Sequence, residues 1–234
     1  MNPIAKSVHE ELKKSVDRKY NEVSKNFFKE EIRQYGVRYP VIRKIASTYF
    51  AALKGKGKGE VFALCEELMS SGLQEPLVVA LDWAQRMRKH YKPEDFETFR
   101  EWTEKYVTNW AACDGMCIGP LGTLLSLYPE LMEKTFHWTN SGNRWLRRAA
   151  AVSLILPTRK QNFLQQNFKV ADALLLDEDD LVQKGYGWML KEASNRYPKE
   201  VFQYVMRHKG EMPRTALRYA IEKMPIGWKK KALS

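Results

Sequence analysis

Trp110-Ala111-Ala112-Cys113-Asp114 sets an indole four residues before a carboxylate, within a segment of helical character. Four residues turn a helix by about 400°, so both side chains emerge on nearly one face, about one turn apart. The chain that carries them has a formal charge of +11. A carboxylate on a phosphate-binding surface opposes affinity, so an aromatic and acid pair on so basic a protein points to chemistry done on a nucleic acid. Two structural readings stand beside this one: Asp114 as a helix cap or as the partner of a nearby arginine, and Trp110 as core filling. On these five residues alone the structural readings are the stronger.

Other residues of the same chemical types recur further along. Basic side chains group at Arg86, Arg88 and Lys89, at Arg144, Arg147 and Arg148, at Lys184 and Lys191, at Arg214 and Arg218, and at Lys229, Lys230 and Lys231. Each group falls in or beside a different expected helix. Spread along one wall they would follow successive phosphates and carry little sequence information, as damage recognition requires. Any single group by itself reads better as a solvated helix face. Gly185-Tyr186-Gly187-Trp188 places two glycines in an expected helix, each costing about 1 kcal/mol relative to alanine, which close packing of backbones would explain. Trp188 then either joins the core or lines a groove.

The elements that must position these residues are helices. Apolar side chains recur at helical spacing, as in Val41, Ile45, Tyr49 and Leu53, while alternating strand-like runs are nearly absent. Prolines 40, 76, 93, 129, 157, 198, 213 and 225 punctuate the apolar segments. The pattern predicts helices over 3–17, 19–34, 39–53, 59–70, 75–90, 94–106, 108–127, 129–138, 143–155, 160–169, 178–196, 198–208, 213–223 and 226–232. Short helices joined by short turns suggest antiparallel pairs stacked as an α-solenoid, an α-α superhelix whose concave basic groove suits a DNA duplex. The Lys54–Gly59 run, alternating lysine and glycine, reads as a flexible basic loop.

Composition bounds the rest. The 234 residues, 44% of them hydrophobic, suffice for one domain spanning 1–234 with its own core. Cys65, Cys113 and Cys117 are too few for a disulfide framework and lack a second ligand pair for zinc, so no metal is expected and the thiols read as buried small residues. The N-terminal MNPIAKSVHEELKK has no long apolar core and no window is apolar enough to span a bilayer, so the expectation is a soluble cytoplasmic protein with no membrane partner. With 39 Lys and Arg against 28 Asp and Glu, the expected partner is a polyanion.

Several segments together resemble the AlkD-type DNA alkylation repair glycosylases, a family of HEAT-like helical-repeat proteins. They are Phe27-Phe28-Lys29, Tyr35-Gly36-Val37-Arg38-Tyr39-Pro40, Asn109-Trp110 with Asp114, Trp145-Leu146-Arg147-Arg148-Ala149-Ala150 and Gly187-Trp188-Met189-Leu190-Lys191-Glu192. The resemblance runs over nearly the whole chain and rests on the order and spacing of these segments. It implies a HEAT-like fold, a duplex DNA partner and excision of cationic N3- and N7-alkylated purines by hydrolysis of the N-glycosidic bond. The family's groove tryptophan, aspartate, arginine and second tryptophan match Trp110, Asp114, Arg148 and Trp188. Phe27 stands where the family often has tyrosine, Asn109 where some members carry a further tryptophan, and Asp177-Glu178-Asp179-Asp180 where some have aromatics.

The chemistry can also be argued from the reaction. A cationic purine is already a good leaving group, so no general acid is needed; the sugar needs the help. A carboxylate aimed at C1′ stabilises the oxocarbenium-like charge and positions water, the role expected of Asp114. Trp110 and Trp188 would add cation-π attraction of about 1–2 kcal/mol each when desolvated. Arg148 would hold a phosphate, with Phe27, Arg147, Lys184, Lys191, Arg214 and Arg218 as further DNA contacts. As the resemblance implies, no pocket for an extruded base is required. A monomeric, monofunctional enzyme without cofactor, lysine nucleophile or obligate protein partner is the expectation. The alternative is a non-catalytic HEAT-like protein that binds damaged or branched DNA.

Overall fold

The computed structural model describes residues 2–160 and 163–234. Every regular element among them is helical, so the protein is all-α. The chain forms two compact units, Met1–Pro120 and Leu121–Ser234. No helix among the described residues is long and apolar enough to cross a membrane.

The first unit runs α1 (Pro3–Lys14), α2 (Arg18–Lys25), α3 (Tyr39–Ala51), α4 (Lys58–Met69), α5 (Gln74–Arg86), α6 (Asp95–Tyr106) and α7 (Trp110–Met116). Side-chain caps set several of the starts: Asn2 and Asp17 accept from the backbone N–H groups of Ile4 and Tyr20, both at 2.9 Å. Pro3 and Pro40 stand in the first turns of α1 and α3, where their missing N–H costs no hydrogen bond. α5 is the spine of the unit. Its Trp83 is fully buried and donates its indole N–H to the Ala46 carbonyl of α3 at 2.8 Å. Phe62, Tyr91, Phe99 and Trp102 form an aromatic cluster with ring centroids 5.2–6.4 Å apart.

The helix expected over 19–34 stops at Lys25, and the residues after it run in an irregular loop whose carbonyls find distant partners, Arg33 the Gln74 N–H and Phe27 the Trp110 indole. The helix expected over 108–127 breaks after α7, where a π-helical turn, Cys117–Leu121, is kinked at Gly119. Pro120 is the cause, since it offers no N–H to the preceding turn and pushes the residue before it out of helical geometry. The Lys54–Gly59 run is only in part a loop. Lys58 already belongs to α4 and pairs with the buried Asp95 at 2.6 Å, while Lys56 pairs with Glu60 at 3.0 Å.

The second unit runs α8 (Gly122–Leu127), α9 (Met132–Phe136), α10 (Arg144–Val152), α11 (Ile155–Lys160), α12 (Leu164–Ala173), α13 (Asp180–Ser194), α14 (Pro198–His208), α15 (Arg214–Ala220) and α16 (Ile226–Leu233). The helix expected over 143–155 is interrupted at Ser153–Leu154, and of the one expected over 160–169, residues 161 and 162 lie outside the described residues. α13 is the central element, packed on α10, α12, α14 and α15. Its glycines provide the room. A Cβ at Gly187 would lie 2.7 Å from the Tyr219 Cβ and 2.8 Å from the Ala216 carbonyl oxygen of α15. The structural explanation of those glycines, close helix packing, is therefore the correct one.

Candidate active site

Asn109 fixes where α7 begins. Its side-chain oxygen accepts from the Ala112 N–H at 2.9 Å, and its amide donates to Gln74 at the start of α5 at 2.8 Å. The cap of α7 is thus Asn109, and Asp114 lies inside the helix, which removes the capping reading of that aspartate. Trp110 opens α7 half-buried, so it is not core filling. Its indole N–H donates to the Phe27 carbonyl at 3.3 Å, and its ring stacks on Phe28 with centroids 5.4 Å apart and planes 22° from parallel. Asp114, also half-buried, follows one turn along the same helix. Phe27 is 68% exposed, and it is its backbone carbonyl that holds Trp110.

The loop that carries Phe27 and Phe28 is anchored by Glu75, which is only 2% exposed. Its carboxylate accepts three backbone N–H groups, from Tyr35 at 2.9 Å, Gly36 at 2.6 Å and Val37 at 3.0 Å. Gly36 has φ +92°, and a Cβ there would come within 2.3 Å of the Asn21 Cβ, so both the turn and the space demand glycine. Gln34 closes the loop onto α2 through Asn21 at 2.9 Å and Ser24 at 2.7 Å. The result is a relay from α5 to the loop and from the loop to the indole at the start of α7.

Between these elements lies a cavity of about 640 Å³. Trp110 and Phe28 are part of its wall, with Ala111 and Gly115 continuing the α7 side. Asp114 is not part of the lining.

In the second unit, Arg148 on α10 is 5% exposed and donates to the Leu181 carbonyl in the first turn of α13. Its stem lies against Gly185, where a Cβ would approach the arginine Cγ to 3.1 Å. Trp188 is half-buried, one turn beyond Lys184 on α13. The remaining expected DNA contacts differ in their engagement. Arg147 is held by Asp177 at 2.7 Å, Lys184 by Asp180 at 3.0 Å and Lys191 by Glu222 at 3.0 Å. Arg214 donates to the Leu233 carbonyl at 3.2 Å, and Arg218 is exposed on the next turn of α15.

Set beside known proteins, the chain matches the family model described as DNA alkylation repair enzyme over residues 8–224. The chain belongs to the DNA alkylation repair enzyme family. A solved structure described as a predicted DNA alkylation repair enzyme from Enterococcus faecalis shares its fold, with a TM-score of 0.78 at 17% identity, covering 91% of this chain and 98% of that one. No curated protein sequence matches.

For a DNA repair family member, the distribution of charge is apt. Leu121–Ser234 holds 19 Lys and Arg against 11 Asp and Glu, so most of the excess of +11 resides in the second unit. The acidic run Asp177–Asp180 is not an open patch. Asp179 caps α13 through the Leu181 N–H at 2.9 Å and pairs with Arg144 at 2.6 Å, while Asp177 holds Arg147 and accepts from the Asp179 N–H at 2.9 Å. Burial pushes the Asp179 pKa up, but the Arg144 and Leu181 hydrogen bonds outweigh it and hold the carboxyl below its ordinary value. Burial also pushes the Cys65 thiol well up, as suits an inert core cysteine. Sequence reasoning missed Glu75 as the anchor of the family's first aromatic segment, because its partners lie 38 to 40 residues away. It also assigned no role to Phe28.

Proposed function

We propose that the protein is a DNA glycosylase that hydrolyses the N-glycosidic bond of cationic N3- and N7-alkylated purines in duplex DNA. One observation carries the reading: an indole and a carboxylate one turn apart on α7, with the indole fixed by the Phe27 carbonyl and the Phe28 ring. Membership of the DNA alkylation repair family supports it.

As the bond from C1′ to the purine nitrogen stretches, its electron pair moves into the ring and cancels the ring's charge, so positive charge passes to the deoxyribose. Asp114 faces that charge with a fixed anion, and Trp110 with the negative face of its ring. Water adds its oxygen to C1′ and its proton leaves to the carboxylate or to solvent. The base departs neutral, and with no lysine nucleophile invoked the strand stays intact. Trp188 keeps the role of second indole that the resemblance gives it. Arg148 holds a phosphate with whatever of its guanidinium remains accessible beside the Leu181 contact, and the exposed Arg218 adds a cation for the backbone.

The test is release of free base from duplexes containing N7-methylguanine and N3-methyladenine, by the wild type and by Asp114→Asn. Release by the wild type alone is expected. Equal release by the variant removes Asp114 from the reaction; no release by either, with salt-sensitive duplex binding, assigns the protein to non-catalytic DNA recognition.

A further inference from the structure

The positive charge of the second unit is unevenly placed along the chain. Residues 121–195 hold nine Lys and Arg against eight Asp and Glu, whereas residues 196–234 hold ten against three, so +7 of the chain's +11 falls in its last 39 residues. The two stretches also differ in pairing. Arg144, Arg147, Arg159, Lys169, Lys184 and Lys191 of the first each hold a carboxylate at 2.6–3.0 Å. Among the described residues, Lys223 is the one cation of the second stretch that does, reaching Glu192 at 3.1 Å. Of the three glutamates there, Glu222 is taken by Lys191, which leaves Glu200 and Glu211 against nine cations.

Local structure accounts for part of this excess. α14 and α16 are joined by the stacked rings of Phe202 and Trp228, with centroids 4.4 Å apart. At the end of α16, Lys209 donates to the Lys231 carbonyl at 3.0 Å and Arg214 to the Leu233 carbonyl at 3.2 Å. Cations are favoured at a helix C-terminus, so these two serve α16. The carbonyls are neutral, and the bonds fix the cations in place without cancelling their charge. Arg207, Arg218 and Lys230 lie in the last turns of α14, α15 and α16, exposed and with no side-chain hydrogen bond or ion pair. The helix dipole favours a cation there by about 0.3–1 kcal/mol. Like charges gathered on three short helices oppose that gain by mutual repulsion, which a polyanion relieves.

We propose that α14, α15 and α16 form a docking surface for the phosphate backbone of undamaged duplex DNA. The duplex as ligand rests on the proposed function; base release is not required. Two tasks are thereby separated within the second unit. The cations of residues 121–195 are mostly committed to carboxylates, so affinity for ordinary duplex comes from the last three helices, while Trp188 and Arg148 keep the parts proposed for them at a lesion. A phosphate is the same beside a damaged base as beside an intact one, so this surface adds affinity to both duplexes equally and gives no discrimination.

The experiment titrates the full chain, by fluorescence anisotropy, onto an undamaged duplex of about 25 base pairs and the same duplex with one N7-methylguanine, between about 50 and about 200 mM salt. Two triple variants remove three charges each: Lys209→Gln with Arg214→Gln and Lys231→Gln, and Arg207→Gln with Arg218→Gln and Lys230→Gln, the second set making no side-chain hydrogen bond. A third, Lys56→Gln with Arg159→Gln and Lys169→Gln, removes equal charge from ion pairs. Each of the first two should weaken both duplexes by the same factor, about tenfold or more, and lower the salt slope by about two to three units; the third should lower it by less than about one. A slope lowered as much by the third triple as by the others, or unchanged by both surface triples, overturns the proposal. Weakening of the damaged duplex alone, or loss of affinity for anionic vesicles with duplex affinity intact, does the same. Base release by the wild type tests the glycosylase separately: binding that depends on the surface triples without release keeps this surface and removes the glycosylase, and release with binding indifferent to them does the reverse.

Discussion

Glu75→Gln tests the relay that holds Trp110. The carboxylate accepts Gly36 and Val37 on one oxygen and Tyr35 on the other, in a site 2% exposed. The amide retains one oxygen for two of these donors and turns its NH₂ toward the third. Hydrogen bonds to a charged acceptor contribute about 1.5–3 kcal/mol each, and a buried donor left without an acceptor costs about 1–3 kcal/mol. One bond lost, one donor stranded and two bonds weakened give a local loss of about 3 kcal/mol. At 1.4 kcal/mol per factor of ten, the amides of Tyr35, Gly36 and Val37 should exchange with solvent more than about 100-fold faster. Native-state hydrogen exchange reads this segment by segment. Base release should slow while duplex affinity changes little, because the relay ends at an indole and not at a phosphate contact. Exchange at residues 35–37 within about threefold of wild type would refute the anchoring argument.

Other substitutions address the second unit. Gly187→Ala inserts a Cβ 2.7 Å from the Tyr219 Cβ and 2.8 Å from the Ala216 carbonyl, so thermal unfolding should show a loss of about 1–3 kcal/mol; an unchanged Tm contradicts the packing. Arg148→Ala should weaken duplex binding and lower the salt slope by about one unit, whereas an unchanged slope with a lowered Tm restricts Arg148 to its contact with the Leu181 carbonyl. Asp179 titrates lower in the folded chain than unfolded, so its stabilisation is complete above the unfolded value of about 3.9 and is lost as pH falls through the folded one. The Tm difference between wild type and Asp179→Asn should therefore shrink between about pH 5 and pH 2, and a difference constant over that range would exclude the linkage.

What the sequence revealed and what it hid separate along one line, the distance over which a residue finds its partner. Apolar spacing and proline positions are local, and they place α3, α4, α6 and α14 to within a residue or two. The Trp110 and Asp114 pair is legible for the same reason, since both belong to one helix. Residues 26–34 read as helix because nothing nearby shows that the Phe27 and Arg33 carbonyls are drawn to Trp110 and Gln74, 83 and 41 positions away. The exchange of Phe28 and Trp110 across 82 positions leaves no periodic trace either. Pro120 is a local signal of the break after α7, since a proline so deep in an apolar segment interrupts its helix.

The ion pairs of the second unit change what its positive charge means for a polyanion. Arg144 and Arg147 are engaged by Asp179 and Asp177, Arg159 and Lys223 by Glu192, and Lys184 and Lys191 by Asp180 and Glu222. For any of these cations, taking up a phosphate is an exchange reaction in which a resident carboxylate is displaced and then lies beside the incoming anion. Ions condensed on DNA are released only in proportion to the charge that is newly neutralised. A duplex thus meets six cations that already have their own counter-charges, and the salt dependence of binding should count the cations outside these pairs, such as Arg218, and not the full basic complement of the chain.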